Sequence, residues 1–280
     1  MNFQKKLLSF FFYYIYKFLN KINLNKKDTL RVLMYHDIKK NEYEKVDKQI
    51  KLFKQDNWNF LTPEDFLKFK LRKKKIRGKN LLITFDDGFF SNKVLSEKIL
   101  SKYGIKGVFF LPTDFIISKK RSQKIKFVRK NLKLNNYKFI DKKISLNKKD
   151  IKKLSKSNNF IGGHTFSHTP TNEVKNKNLL KKEIVESANV LEKIIKKRII
   201  FFAFPFGTQE DIDLRSFKYA RKNYKLIFSA IRGDNQNNKI IIFRDNITPN
   251  FNKFFIITIV NGFFDFLYYF LRKKILNFLN

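Results

Sequence analysis

Short apolar runs alternate with stretches of helical period through most of the chain. Residues 30–36 (LRVLMYH), 58–61, 81–85 (LLITF), 105–111 (IKGVFFL), 160–163, 199–204 (IIFFAF), 226–229 and 239–243 (KIIIF) read as buried strands. Between them, apolar positions recur at three and four residues. Val46, Ile50 and Phe53 predict one helix, and Val94, Leu95, Ile99 and Leu100 a second that Ser91 caps and Gly104 closes. Thr62-Pro63 followed by Asp65 is a helix start with a capping residue and proline in the first turn. Further helices are expected over 147–156, 177–196 and 211–223. Residues 113–146 are lysine-rich without a strand pattern and read as an insertion carrying helical pieces. Alternation of this kind builds a parallel sheet with crossover helices. With about seven strands besides the short run 58–61, and no glycine-rich phosphate loop, an α/β barrel is favoured over an open doubly wound sheet, as a single domain over residues 28–250.

Two segments are too apolar for that scheme. Residues 7–19 (LLSFFFYYIYKFL) follow Lys5 and Lys6 like the start of a signal peptide, but a polar, basic stretch comes next instead of a small-residue cleavage site. Residues 254–271 (FFIITIVNGFFDFLYYFL) contain Asn261, Gly262 and Asp265, and an Asp near mid-span costs about 2.5–3.5 kcal/mol. Both are flanked by basic residues and are read as helices lying on a membrane surface, its cytoplasmic face favoured. They make residues 1–27 an N-terminal segment and 251–280 an apolar C-terminal helix.

Composition changes the picture in two ways. The absence of cysteine removes disulfides and thiolate metal sites. A formal charge of +37 would point to nucleic acid, but lysine is spread over nearly every segment and accompanies 34 Phe as a chain-wide bias. No stripe of interleaved basic and aromatic residues is present, so nucleic acid is not the expected partner. An anionic membrane or glycan is.

The chemistry centres on LLITFDDG, residues 81–88. Asp86 and Asp87 follow a strand, where α/β proteins place their ligands. DDG alone fits an exposed acidic turn equally well. The chain has three histidines, His36, His164 and His168, the last two four apart after a probable strand. Two imidazoles and a carboxylate make a divalent metal set with positions left open, for which zinc is the natural ion. HExxH and GxSxG are absent and cysteine cannot serve, which leaves activated water as the nucleophile.

TFDDG (84–88), HTFSH (164–168) and FPFG (204–207) resemble, in order and spacing, the first three motifs of the polysaccharide deacetylases, the carbohydrate esterase family sharing the NodB-homology domain. The resemblance covers roughly residues 30–245. It implies a distorted (β/α)7-type barrel, TIM-barrel-like, and metal-dependent removal of N-acetyl groups from a sugar in a surface polysaccharide or its lipid-linked precursor. Other amide or O-acetyl substrates are the alternative, and a non-catalytic basic protein the contrasting class. Position by position, the resemblance makes Asp86 the general base and Asp87, His164 and His168 the metal ligands. The Phe206 backbone N–H becomes the oxyanion donor, where the family usually has Tyr, and Pro205 and Phe206 border the substrate. Two departures stand out. The Arg usual before the third motif is replaced by apolar residues 200–203, and no His follows His168 to serve as acid. Residues 32–38 (VLMYHDI) resemble the permuted branch typified by poly-N-acetylglucosamine deacetylases, which makes His36 the acid. Arg244, at another strand end, is expected to bind substrate or orient a catalytic group.

Overall fold

The computed structural model describes residues 3–21, 28–237 and 240–279; the basic stretch 22–27 and Lys239, where the last strand was expected to begin, lie outside them. Strands β1 (Thr29–Tyr35), β3 (Lys79–Phe85), β4 (Gly107–Leu111), β5 (Phe160–Gly163), β6 (Phe201–Ala203), β7 (Leu226–Phe228), β8 (Ile241–Ile242) and β9 (Asp245–Asn246) lie in the order β8-β7-β6-β5-β4-β3-β1-β9, every pair parallel. A short strand, β2 (Trp58–Phe60), pairs with the first half of β3 on the side whose second half pairs with β4.

The topology itself forces curvature. β8 and β9 sit at opposite ends of the strand order, yet only Phe243 and Arg244 separate them. Three residue steps span at most about 10 Å, so the sheet must curl until its two ends nearly meet. This is the expected distorted barrel, with Arg244 at its seam. β1 lies between β3 and β9, in register with β3 from Thr29↔Lys79 to Tyr35↔Phe85, which carries His36 to the strand end that also carries Asp86.

Local signals mostly act as the sequence predicts. The Thr62 hydroxyl accepts from Asp65 N at 3.1 Å to start α3 (Pro63–Lys70), and Gly104 adopts φ +67 where the chain turns into β4. Ser91 differs. The helix α4 (Phe90–Lys98) begins before it, and its hydroxyl donates instead to Asp37 at 2.6 Å. The helix expected over 177–196 is interrupted: α8 (Lys177–Lys181) and α9 (Ser187–Ile195) are joined by a π turn, Lys182–Glu186. The strand β9 was not anticipated, since two polar residues carry no strand pattern.

The insertion forms α5 (Thr113–Ile117) and α6 (Arg121–Lys130), with a core of its own built from Phe89, Phe115, Phe127, Val128, Leu132 and Ile144. The apolar C-terminal segment is two helices, α11 (Lys253–Val260) and α12 (Tyr269–Leu276), rather than one, with residues 255–260 buried against the barrel. The remaining helices are α1 (Phe3–Lys21), α2 (Tyr43–Gln55), α7 (Lys148–Lys156) and α10 (Leu214–Asn223).

Candidate metal and catalytic site

The C-terminal ends of β1, β3, β5 and β6 open into one cleft of about 350 Å³, lined by His36, Asp86, Asp87, His164, His168 and Phe206 among others. Residues from four separate stretches of sequence therefore meet in one place. The backbone is specialised there: Asp87, Thr165, His168 and Phe206 all have φ between +57 and +70. Non-glycine residues held in this region cost of order 1–3 kcal/mol each and persist only where surrounding structure imposes them. Gly88, at φ +72, allows the exit after the paired aspartates, because a Cβ there would meet Ile116 and Leu111 side chains at 3.0 Å.

Asp87, His164 and His168 each offer a ligand atom, all within 4.8 Å of one another, and all three residues are buried. Asp87 Oδ1 lies 3.2 Å from His168 Nε2 and 3.7 Å from His164 Nε2. A tetrahedral ion with bonds of about 2.1 Å separates neighbouring ligands by about 3.4 Å, so the spacing fits a divalent metal. The outer nitrogens fit as well. His164 Nδ1 lies 2.7 Å from the Ala203 carbonyl and His168 Nδ1 3.1 Å from the Asn131 carbonyl. Each Nδ1 is paired outwards, so the Nε2 atoms of both rings, the ones a metal would take, face Asp87. Burial pushes the Asp87 carboxyl up, but the two imidazoles beside it hold it well below the ordinary carboxylate range.

Asp86 is held differently. Arg244, 1% exposed, donates from Nη1 to Asp86 Oδ1 at 2.7 Å, and from Nε to the Ser229 carbonyl at 2.8 Å. Burial raises the Asp86 carboxyl; Arg244 foremost, with His164 and His36, more than offsets this and keeps it ionised below the usual range. Asn92 secures the Asp86 carbonyl at 3.2 Å. The Arg244 guanidinium, expected to bind substrate or to orient a catalytic group, is buried beside Asp86. Pro205, expected to border the substrate, is buried at the turn into Gly207.

Several residues around the site carry no sequence signal. Glu183, from the π turn, accepts hydrogen bonds from Phe166 N and Ser167 N at 2.9 Å and from the Ser167 hydroxyl at 2.7 Å, clamping the HTFSH loop. Nothing in residues 177–196 marks this glutamate, because a π turn shifts which side chains face inwards. Tyr137, from the insertion, stacks on Phe89 with ring centroids 5.5 Å apart and donates to Asp37 at 2.7 Å. Lys133 stands 4.5 Å over the Phe206 ring, whose edge meets His168. The insertion therefore forms one wall of the cleft.

Residues 73–223 match the sequence profile of the polysaccharide deacetylases. The chain belongs to that family. Its Bacillus subtilis (strain 168) relative YxkH, described as a candidate polysaccharide deacetylase, is 24% identical over 200 residues; the match covers 70% of this chain and 63% of YxkH. Among solved structures, the Streptococcus pyogenes deacetylase PplD, in complex with acetate, shares the fold at 20% identity and a TM-score of 0.64, over 83% of this chain and 98% of that one. IcaB from Ammonifex degensii gives 20% and 0.61, over 80% and 94%. Within that family's pattern, the fold brings the DDG and HxxxH motifs together at strand ends, and Arg244 at the barrel seam pairs with Asp86 at 2.7 Å.

Proposed function

We propose that the protein hydrolyses the N-acetyl group of a sugar, in a surface polysaccharide or its lipid-linked precursor, with Asp86 as base and His36 as acid. The observation that carries this reading is the division of labour between two adjacent aspartates. Asp87 faces two imidazoles, whereas Asp86 is tied by Arg244 and remains ionised. A divalent ion, most simply zinc, would be held by Asp87, His164 and His168, where it supplies a Lewis acid for the acetyl carbonyl and lowers the pKa of water.

The protein's own groups account for the protons. Asp86 takes one from the attacking water as the new C–O bond forms. The backbone N–H of Phe206 donates to the oxyanion of the tetrahedral intermediate. His36, half-buried in the same cleft, gives its proton to the sugar nitrogen as the C–N bond breaks, releasing acetate and a free amine. An amine is a poor leaving group unless protonated, which is why an acid is needed opposite the base.

The test is acetate release from N-acetylated and O-acetylated glycans by protein whose metal has been quantified. Wild type should release acetate from the N-acetylated substrate. Asp86→Asn should lose about 10²–10⁴-fold in turnover with its metal retained. Metal-loaded wild type that releases no acetate from N-acetylated glycans, or an equally active Asp86→Asn, would sink the reading.

A further inference from the structure

The helix α1 is apolar on two opposite faces, and only one of them is covered. Ser9, Phe12 and Tyr16 face the barrel. The Ser9 carbonyl accepts from the Thr258 hydroxyl at 3.1 Å, and Phe12 packs on Phe263 and Phe264. The Tyr16 hydroxyl donates to Asp56 at 2.7 Å and accepts from Lys79 at 2.6 Å. At 3.6 residues per turn, Leu7, Phe11, Tyr14 and Phe18 fall on the far side, and they are 54–62% exposed. A helix hydrophobic all round is normally buried on every side. A second apolar group, Phe266, Leu267, Tyr269 and Phe270, is 54–79% exposed and continues directly from the segment against which Phe12 packs.

The charge around these patches identifies the occupant. Lys17 and Lys21 on α1, Lys253 at the start of α11, and Lys273 and Lys274 beside Phe270 are all exposed, and no acidic residue interrupts α1. Lys17 and Lys253 lie over the rings of Tyr13 and Phe254, which places cations at the apolar margin. We infer that this face inserts into the headgroup boundary of an anionic bilayer, with α1 lying in the plane of the surface.

Spanning is a poorer fit. Among the described residues no single helix is long and apolar enough to cross a membrane. α11 and the segment 265–276 are apolar enough together, but they are bent by 58°. Residues 255–260 are buried in the barrel, and Asp265 is held by Arg31 at 2.6 and 3.0 Å. Releasing them would strip the core and break that ion pair.

Phe10 packs near Phe254 and Tyr16 near Phe263, so α1 runs in the same direction as α11, and Tyr16 meets Lys79 at the start of β3, the strand end away from the cleft.

The experiment is co-sedimentation of the full chain with phosphatidylcholine vesicles, with and without phosphatidylglycerol. Binding should rise about tenfold or more with the anionic lipid and weaken in high salt. The double variant Phe11→Glu, Phe18→Glu should lose that binding while its melting temperature and metal content stay at wild-type values. Wild type that remains in the supernatant with anionic vesicles, or a double variant that binds as well as wild type, would overturn the inference. So would light scattering that shows a wild-type dimer, dissociated by the same substitutions and indifferent to vesicles, because the face would then join two copies of the chain.

Discussion

Asp86 and Asp87 are chemically identical neighbours to which the proposed reaction gives different tasks, and the difference lies in what surrounds each. In that proposal Arg244 is the residue on which the base depends. Arg244→Met leaves burial unopposed, so the Asp86 carboxyl should rise. Because the reaction needs it ionised, activity is present above its pKa and lost as pH falls through it. The acidic limb of the kcat/KM profile should therefore move to higher pH with metal content unchanged. An unmoved limb would show that Arg244 only fills space. His36 is tested by leaving group. His36→Ala should impair release from an N-acetylated sugar by about 10²–10⁴-fold, and much less so from p-nitrophenyl acetate, whose phenolate departs without a proton. Equal losses on both substrates would remove His36 from the role of acid.

Among the elements, the HTFSH loop is held both by its own Thr165, whose hydroxyl accepts from His168 N at 3.0 Å, and by a glutamate from the turn after α8. His168 and Thr165 take positive φ while Glu183 holds Phe166 and Ser167 from the π turn between α8 and α9. Loss of such an outer partner typically weakens metal binding by about 10–100-fold. Glu183→Ala should do so in competition with a chelator, with the overall fold intact by circular dichroism. Unchanged affinity would mean that the loop holds its shape unaided. The motif histidines were legible because their spacing is local; Glu183, Asn131 and Tyr137 were not, because each reaches the site through a tertiary contact with no period in the sequence.

At the scale of the molecule, the barrel is held shut by charge as well as by packing. Arg31, on β1 and 1% exposed, makes paired hydrogen bonds to Asp245 at the seam (2.8 and 2.7 Å) and to Asp265 beyond α11 (2.6 and 3.0 Å). Arg232 joins Asp245 at 3.1 Å. Removing one partner of a buried pair costs about 3–5 kcal/mol, because it strands the other charge. Arg31→Met should therefore lower stability by about that amount in urea unfolding, and a loss below about 1 kcal/mol would place the pairs in the range of surface bridges. The same network ties the C-terminal segment to β1 through Arg31 and Asp265.

The α/β alternation, the strands that lead to Asp86, Asp87, His164 and Phe206, and the two apolar ends of the chain are written in local period and spacing, which act over a few residues. The pairing of Arg244 with Asp86, the contacts of Glu183 and the insertion around the cleft, and the covering of one face of α1 and not the other are set by the folded chain. Each of these depends on where the sheet closes. Closure brings residues 31, 86, 244 and 265 together across the whole chain, and no local pattern encodes that meeting.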